Sequence, residues 1–322
     1  MNRRLFLTAS ATTLGVAGTA LAMSTPAHGA TVTTVAGADP VSVPVGTRPE
    51  SITRAWDGRF YVSIQGTPGN ADGEIHLFDP DTGTSTVFAT GLDNPRGLAF
   101  TGKYLVVTDT TVVRIVDRTG AHRILAGPDA FPHPTAFFND AAPEEGGRAV
   151  YVTEMGGRAF MRDPATGLLW PTDSPQALTI PVASRVYRIT VTGQVTEAVT
   201  PSRRALVMNG VIVNRRDRHH LLVVDMFYGN ITDVDLRTGR KTIVGTGYRS
   251  ADGLAQGRDG TLYLCSFDDG IVWTVDAEGE NPQILLQGVG RSSTADLYLD
   301  EPNRRLLVPD TLHNAVIVLP LG

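Results

Sequence analysis

The 322 residues contain one cysteine, Cys265. That excludes an internal disulfide framework and any zinc site built on thiolates. The flanking Leu262-Tyr263-Leu264 reads as a strand, so the thiol is expected to pack as a small buried hydrophobe and not to react. Basic clusters are missing too. The formal net charge is −5, and −7 once Arg3 and Arg4 are set aside, which argues against nucleic acid as a partner. Beyond the N-terminus no apolar run approaches the length of a membrane span, and no convincing amphipathic helix appears. There is no Gly-x-Ser-x-Gly elbow, phosphate-cradling glycine loop or helix-borne His-Glu motif, which disfavours serine-hydrolase, nucleotide-dependent and zinc-protease chemistry. His133 and His313 are isolated and His219-His220 lies in a turn, so these read as structural or solvated.

What is present begins with a targeting pattern. Met1-Asn2-Arg3-Arg4-Leu5-Phe6-Leu7 leads into an Ala- and Gly-rich run ending near Met23, with small-residue cleavage points at Ala20-Leu21-Ala22 or Ala27-His28-Gly29. Residues 1–29 are therefore expected to be a twin-arginine-type export signal, leaving a secreted or periplasmic protein free of the membrane. An N-terminal anchor is the alternative, but the run is too weakly apolar for a comfortable span.

The rest of the chain, residues 30–322, repeats itself. A polar anchor, a short alternating strand, a polar turn and an apolar strand recur, as in Pro49-Glu50-Ser51-Ile52 followed by Arg59-Phe60-Tyr61-Val62. The anchors Glu50, Arg96, Asn139, Asn209, Asp252 and Asp296 are 46, 43, 70, 43 and 44 residues apart. Periods in the low forties belong to four-stranded propeller blades. The long interval implies an insertion in the third unit, at about 157–182. Asp79–Gly83, Asp117–Gly120, Val191–Gly193, Asp235–Gly239 and Asp276–Gly279 read as hairpin turns, with Gly supplying positive φ and Asp capping. The fold class is all-β, a six-bladed β-propeller in one domain. The last unit ends at Gly322 without an outer strand, which the run Thr31-Val32-Thr33-Thr34-Val35 is expected to supply.

Innermost strands of a propeller begin near its axis, so the six anchors should converge on one polar funnel. Three carboxylates and two carboxamides are hard oxygen donors of the kind Ca²⁺ takes. Zinc or copper would want imidazole or thiolate. Each anchor taken alone reads as an ordinary turn residue rather than a ligand, and only the shared position in successive blades favours a common metal role.

Pro-Glu-Ser in the first unit, Phe-Asn-Asp in the third, Asn-Gly in the fourth, Asp-Gly in the fifth and Ala-Asp-Leu in the last resemble the senescence marker protein/gluconolactonase family in their order and spacing. The likeness spans essentially the whole mature chain. It implies a six-bladed propeller with one catalytic divalent cation, often Ca²⁺, held by Glu50, Asn139, Asn209 and Asp252. The chain departs from the pattern at Phe137, where family lactonases commonly carry Arg, and at Gly156-Gly157-Arg158, where an acidic substrate contact is expected. A sugar-lactone substrate is thus not implied.

The activity that follows is Ca²⁺-dependent hydrolysis of small lactones or esters, by a monomer acting on a small molecule. The cation would serve as Lewis acid. Asp252 is the first choice to activate water, or else a ligand only. Glu154 is the second, or else caps a strand end as Asp109, Asp225 and Asp310 do. Arg96 would bind an anionic substrate group or neutralise the carboxylates. Asp296 and Trp170 are further candidates for substrate contact, Trp170 from an insertion that either roofs the funnel or packs as an extra hairpin. The competing readings are a non-catalytic NHL-like binding propeller and a strictosidine-synthase-like enzyme.

Overall fold

Second strands of the repeat are apolar on both faces, and this dictates the architecture. In Leu105–Asp109 the residues Leu105, Val106 and Val107 are all fully buried. Leu105 and Val107 pack on one side with Tyr61 and Ile75, while Val106 packs on the other with Phe138, Val150 and Tyr187. A strand buried on both faces reads as a continuous apolar run and needs a sheet against each side. Repeated six times, that requirement closes a ring.

The structure is a computed structural model that describes Thr33–Thr34 and residues 39–322. The expected export signal at 1–29 lies outside the described residues. Six antiparallel sheets form the blades, spanning 49–92, 95–126, 138–199, 208–245, 251–287 and 298–320. Six apolar clusters fill the gaps between successive blades, the last joining blade 6 to blade 1 through Leu307, Val316, Ile52 and Val62. Among the described residues the one α-helix is the single turn Pro175–Thr179. The hairpin turns lie where the sequence puts them: Gly83, Gly120, Gly193, Gly239 and Gly279 all have positive φ. Asp235 shows the capping, its Oδ1 accepting the Arg237 N–H at 2.8 Å. Such bonds hold its carboxyl down at about 2.

Ring closure differs from expectation. The outer strand of blade 6 is Val41–Pro44, paired antiparallel with Ala315–Pro320. Thr33–Thr34, from the run expected to close the ring, instead adds a fifth strand to blade 5 by pairing with Gln287 and Leu286. Val41–Pro44 is the strand adjacent in sequence to blade 1, and Val45 extends its ladder by donating to the Asn314 carbonyl at 2.9 Å. The insertion lies between the second and third strands of blade 3. It builds a seventh cluster, in which Met155, Met161, Ala177 and Ile180 meet Leu206, Met226 and Phe227 of blade 4.

Candidate active site

Five inner strands carry the same irregularity, a register shift between Pro49 and Ile52, Pro95 and Leu98, Phe138 and Ala141, Met208 and Val211, and Ala251 and Leu254. Each shift is a β-bulge that re-aims side chains. It gives every inner strand two axial positions. Residues at the first line one end of the axis: Glu50, Arg96, Asn139 and Asp252 surround a cavity of about 610 Å³. Residues at the second face the other end, where Asp140 and Asp296 line a separate cavity of about 560 Å³. Glycine fills the second position where neighbouring backbones crowd it. A Cβ on Gly97 would lie 2.5 Å from the Asn139 carbonyl oxygen, and one on Gly210 would lie 2.3 Å from that of Asp252.

A latch between blades fixes this numbering. Ser63 Oγ donates to the Arg96 carbonyl at 2.6 Å, Thr108 Oγ1 to that of Asn139, and Cys265 Sγ to that of Ala295 at 2.6 Å. The residue equivalent to Arg96 and Asn139 in blade 6 is therefore Ala295. Asp296 stands one place on, and that step turns it to the opposite end, where its Oδ2 accepts the Ser51 hydroxyl at 2.5 Å. The six-anchor ring is thus corrected to five polar residues and one alanine, and Asp296 does not line the cavity of the other anchors.

At the first end, Glu50, Asn209 and Asp252 are 2%, 0% and 5% exposed, and Asn139 7%. Asn209 Nδ2 donates to Asp252 Oδ1 at 2.8 Å, and Asn139 Nδ2 donates to Met155 Sδ at 3.4 Å. Both carboxamides thus spend their nitrogens on protein acceptors, and among the described residues no donor faces the buried Asn209 Oδ1. An oxygen orphaned in this way is costly unless something positive meets it. Glu50 Oε1 receives Arg96 Nη1 at 2.7 Å and its Oε2 receives Gln65 Nε2 at 2.5 Å. Burial pushes Asp252 well above the usual carboxylate range, with Glu50 and Asp296 adding to the effect. Two carboxylates and two carboxamide oxygens, one of them orphaned, suit a hard divalent cation.

The remaining candidates are placed as follows. Glu154 is buried at the end of the second strand of blade 3, where Oε1 accepts the N–H groups of Ala136 and Phe137 at 2.9 and 3.3 Å. Asp109, Asp225 and Asp310 occupy the same position in blades 2, 4 and 6, and Asp109 and Asp225 accept backbone N–H groups in the same way. Glu154 therefore caps the strand end and does not line the axial cavity. Trp170 packs against the cluster beneath the insertion, with its carbonyl accepting Arg249 Nη2 at 2.8 Å, and it lies outside the cavity lining.

The insertion itself roofs the funnel. Arg158, Met161, Arg162 and Gly167 line it, and Arg162 Nη1 reaches across to Asp268 Oδ2 of blade 5 at 2.8 Å. Sequence reasoning missed Gln65, the latching role of Cys265 and the place of Arg158. The first two become visible only when strand positions are aligned between blades. A wider groove of about 980 Å³ between blades 3 and 4 contains the Arg188–Glu144 ion pair and none of the axial residues.

Among solved structures, a gluconolactonase from Xanthomonas campestris aligns with a TM-score of 0.56 at 17% identity, covering 90% of this chain and all of that one. A chain of a nidogen/laminin complex aligns with a TM-score of 0.60 at 13% identity, covering 82% of this chain and 90% of that one. At these identities the likeness shows the propeller fold. Among curated proteins, none matches the chain. The family model described as SMP-30/Gluconolactonase/LRE-like region matches residues 56–294, most of the chain, and the protein belongs to that family.

Proposed function

We propose that the protein is an exported, monomeric, Ca²⁺-dependent hydrolase of small lactones or esters. The observation that carries this reading is the buried Asn209 Oδ1, which has no donor among the described residues, in a ring whose other oxygens come from Glu50, Asn139 and Asp252. Family membership adds support. Those four residues would hold the cation, which when bound supplies Lewis-acid polarisation of the substrate carbonyl.

The chain's own groups do the rest. Asn209 Nδ2 fixes Asp252 Oδ1, leaving Oδ2 to take a proton from the attacking water. Burial and the neighbouring Glu50 raise the proton affinity of Asp252 in the metal-free chain, and a cation bound beside it would draw that affinity down again. Arg96 balances the charge of Glu50 and holds that carboxylate in place.

A propeller alone does not fix a function, and the nidogen chain shares the scaffold. Turnover separates the hydrolase from a binding module. Against a panel of lactones and aryl esters, chelation should abolish hydrolysis and Ca²⁺ restore it. Asp252→Asn should lower kcat by roughly 10²–10⁴-fold, the usual contribution of a general base. Hydrolysis that survives both chelation and Asp252→Asn would overturn the reading.

A further inference from the structure

Five arginines line the roofed cavity, and four of them have fixed partners. Arg162 and Arg291 face Asp268 at 2.8 and 3.8 Å, Arg48 donates to the Gly66 carbonyl at 2.7 Å, and Arg96 pairs with Glu50 at 2.7 Å. Arg158 differs. Among the described residues its guanidinium has no carboxylate at ion-pair distance and no hydrogen-bond acceptor, and its carbon sits 4.1 Å from the centroid of the Phe137 ring. Arg96 lies over the same ring at 4.9 Å, and its Nε is buried with no acceptor.

Two guanidinium groups on one aromatic ring repel each other; Glu50 offsets the charge of Arg96, whereas among the described residues no carboxylate does the same for Arg158 at ion-pair distance. The backbone is shaped to bring them together. A Cβ on Gly157 would lie 2.6 Å from the Leu206 carbonyl oxygen, and one on Gly156 would lie 2.7 Å from Ala183 Cβ. The glycine pair lets the chain leave its strand close to blade 4 and deliver Arg158 over the funnel.

We infer that Arg158 and Arg96, stacked on Phe137, form an anion clamp, so that the substrates of this site carry a carboxylate or phosphate group near the scissile acyl bond. A guanidinium fork suits either oxyanion through charge-assisted hydrogen bonds. The inference rests on the hydrolase reading and names its substrate class. Arg158 is the specificity-determining residue, because Arg96 is already engaged by Glu50.

The test has two arms. In the first, calorimetry on protein stripped of metal and dialysed free of chelator follows binding of glutarate, of inorganic phosphate and of neutral glutaramide to the protein, Arg158→Gln and Arg158→Lys. At least one anion should bind and glutaramide should not. Arg158→Gln should weaken that anion roughly ten- to hundredfold, the scale of one charge-assisted hydrogen bond, with Arg158→Lys in between. Which anion binds separates carboxylate-bearing from phosphate-bearing substrates. In the second arm, kcat/KM is compared for 4-nitrophenyl hemiglutarate and 4-nitrophenyl butyrate. Arg158→Gln should depress the anionic ester by the same factor and leave the neutral one within about twofold. Failure to hydrolyse either ester counts against the hydrolase reading and leaves the clamp to be decided by calorimetry. No anion binding by the unmodified protein, or binding indifferent to Arg158→Gln, would overturn the clamp.

Discussion

Cys265 occupies the position held by Ser63 in blade 1 and Thr108 in blade 2, and all three donate to the carbonyl of the next inner strand. The thiol also accepts the Gly253 N–H at 3.1 Å, and burial pushes it well above the usual thiol range. It is a latch, which the apolar strand around it did not announce. Cys265→Ser should therefore keep stability within about 1 kcal/mol, whereas Cys265→Ala should cost roughly 1–3 kcal/mol by orphaning both backbone partners. Denaturant midpoints of the two variants check this, and equal losses would refute the latch. The one-residue misplacement of Asp296 was also avoidable. Glu50, Arg96, Asn209 and Asp252 each stand two places before an aliphatic residue, Ile52, Leu98, Val211 and Leu254. Counting back from Leu297 reaches Ala295. A shift of one residue changes which way a side chain faces, so the triplet Ala-Asp-Leu alone could not decide it.

The blades were legible because five of the six inner strands carry a polar anchor near their start and the second strands hold short apolar runs, as in Leu221–Val224. The closing strand was not. Thr31–Val35 and Val41–Pro44 both read as short β segments, and only pairing partners at a distance in sequence distinguish them. The insertion was visible as a gap in the period, but its role depended on where its tip lands. Arg162 and Arg291 tie it to blades 5 and 6 across the funnel, Arg291 through the Gly167 carbonyl at 2.8 Å. The tight departure at Gly157 makes this element sensitive to a single methyl group. Gly157→Ala should leave the propeller's circular dichroism intact while opening 158–182 to limited proteolysis and reducing turnover at least tenfold, because roof and base shift apart. Unchanged proteolysis with full activity would show that the roof does not depend on that contact.

Across the whole molecule, acidic groups lie along the axis from one end to the other: Glu50 and Asp252 in the first cavity, Asp296 and Asp140 in the second. Burial pushes Asp296 up to about 7 and Asp225, at the end of the second strand of blade 4, up to about 6, from an ordinary 3.8. Folding therefore tightens proton binding at both. Their stabilisation is complete below about pH 4 and is lost as pH rises through 6 and 7. The chelated protein should melt several degrees higher at about pH 5.5 than at about pH 8, and Asp296→Asn should flatten that slope. A melting temperature that climbs over the same interval would contradict the assignment.

A calcium titration by calorimetry decides whether the first axial ring binds a divalent cation. One Ca²⁺ per chain should bind the unmodified protein. Asn209→Ala and Asp252→Asn should each weaken binding at least tenfold, since each removes a ring oxygen or its charge. No binding, or binding untouched by both substitutions, would mean that the orphaned oxygen of Asn209 has another partner and that the ring is not a metal centre.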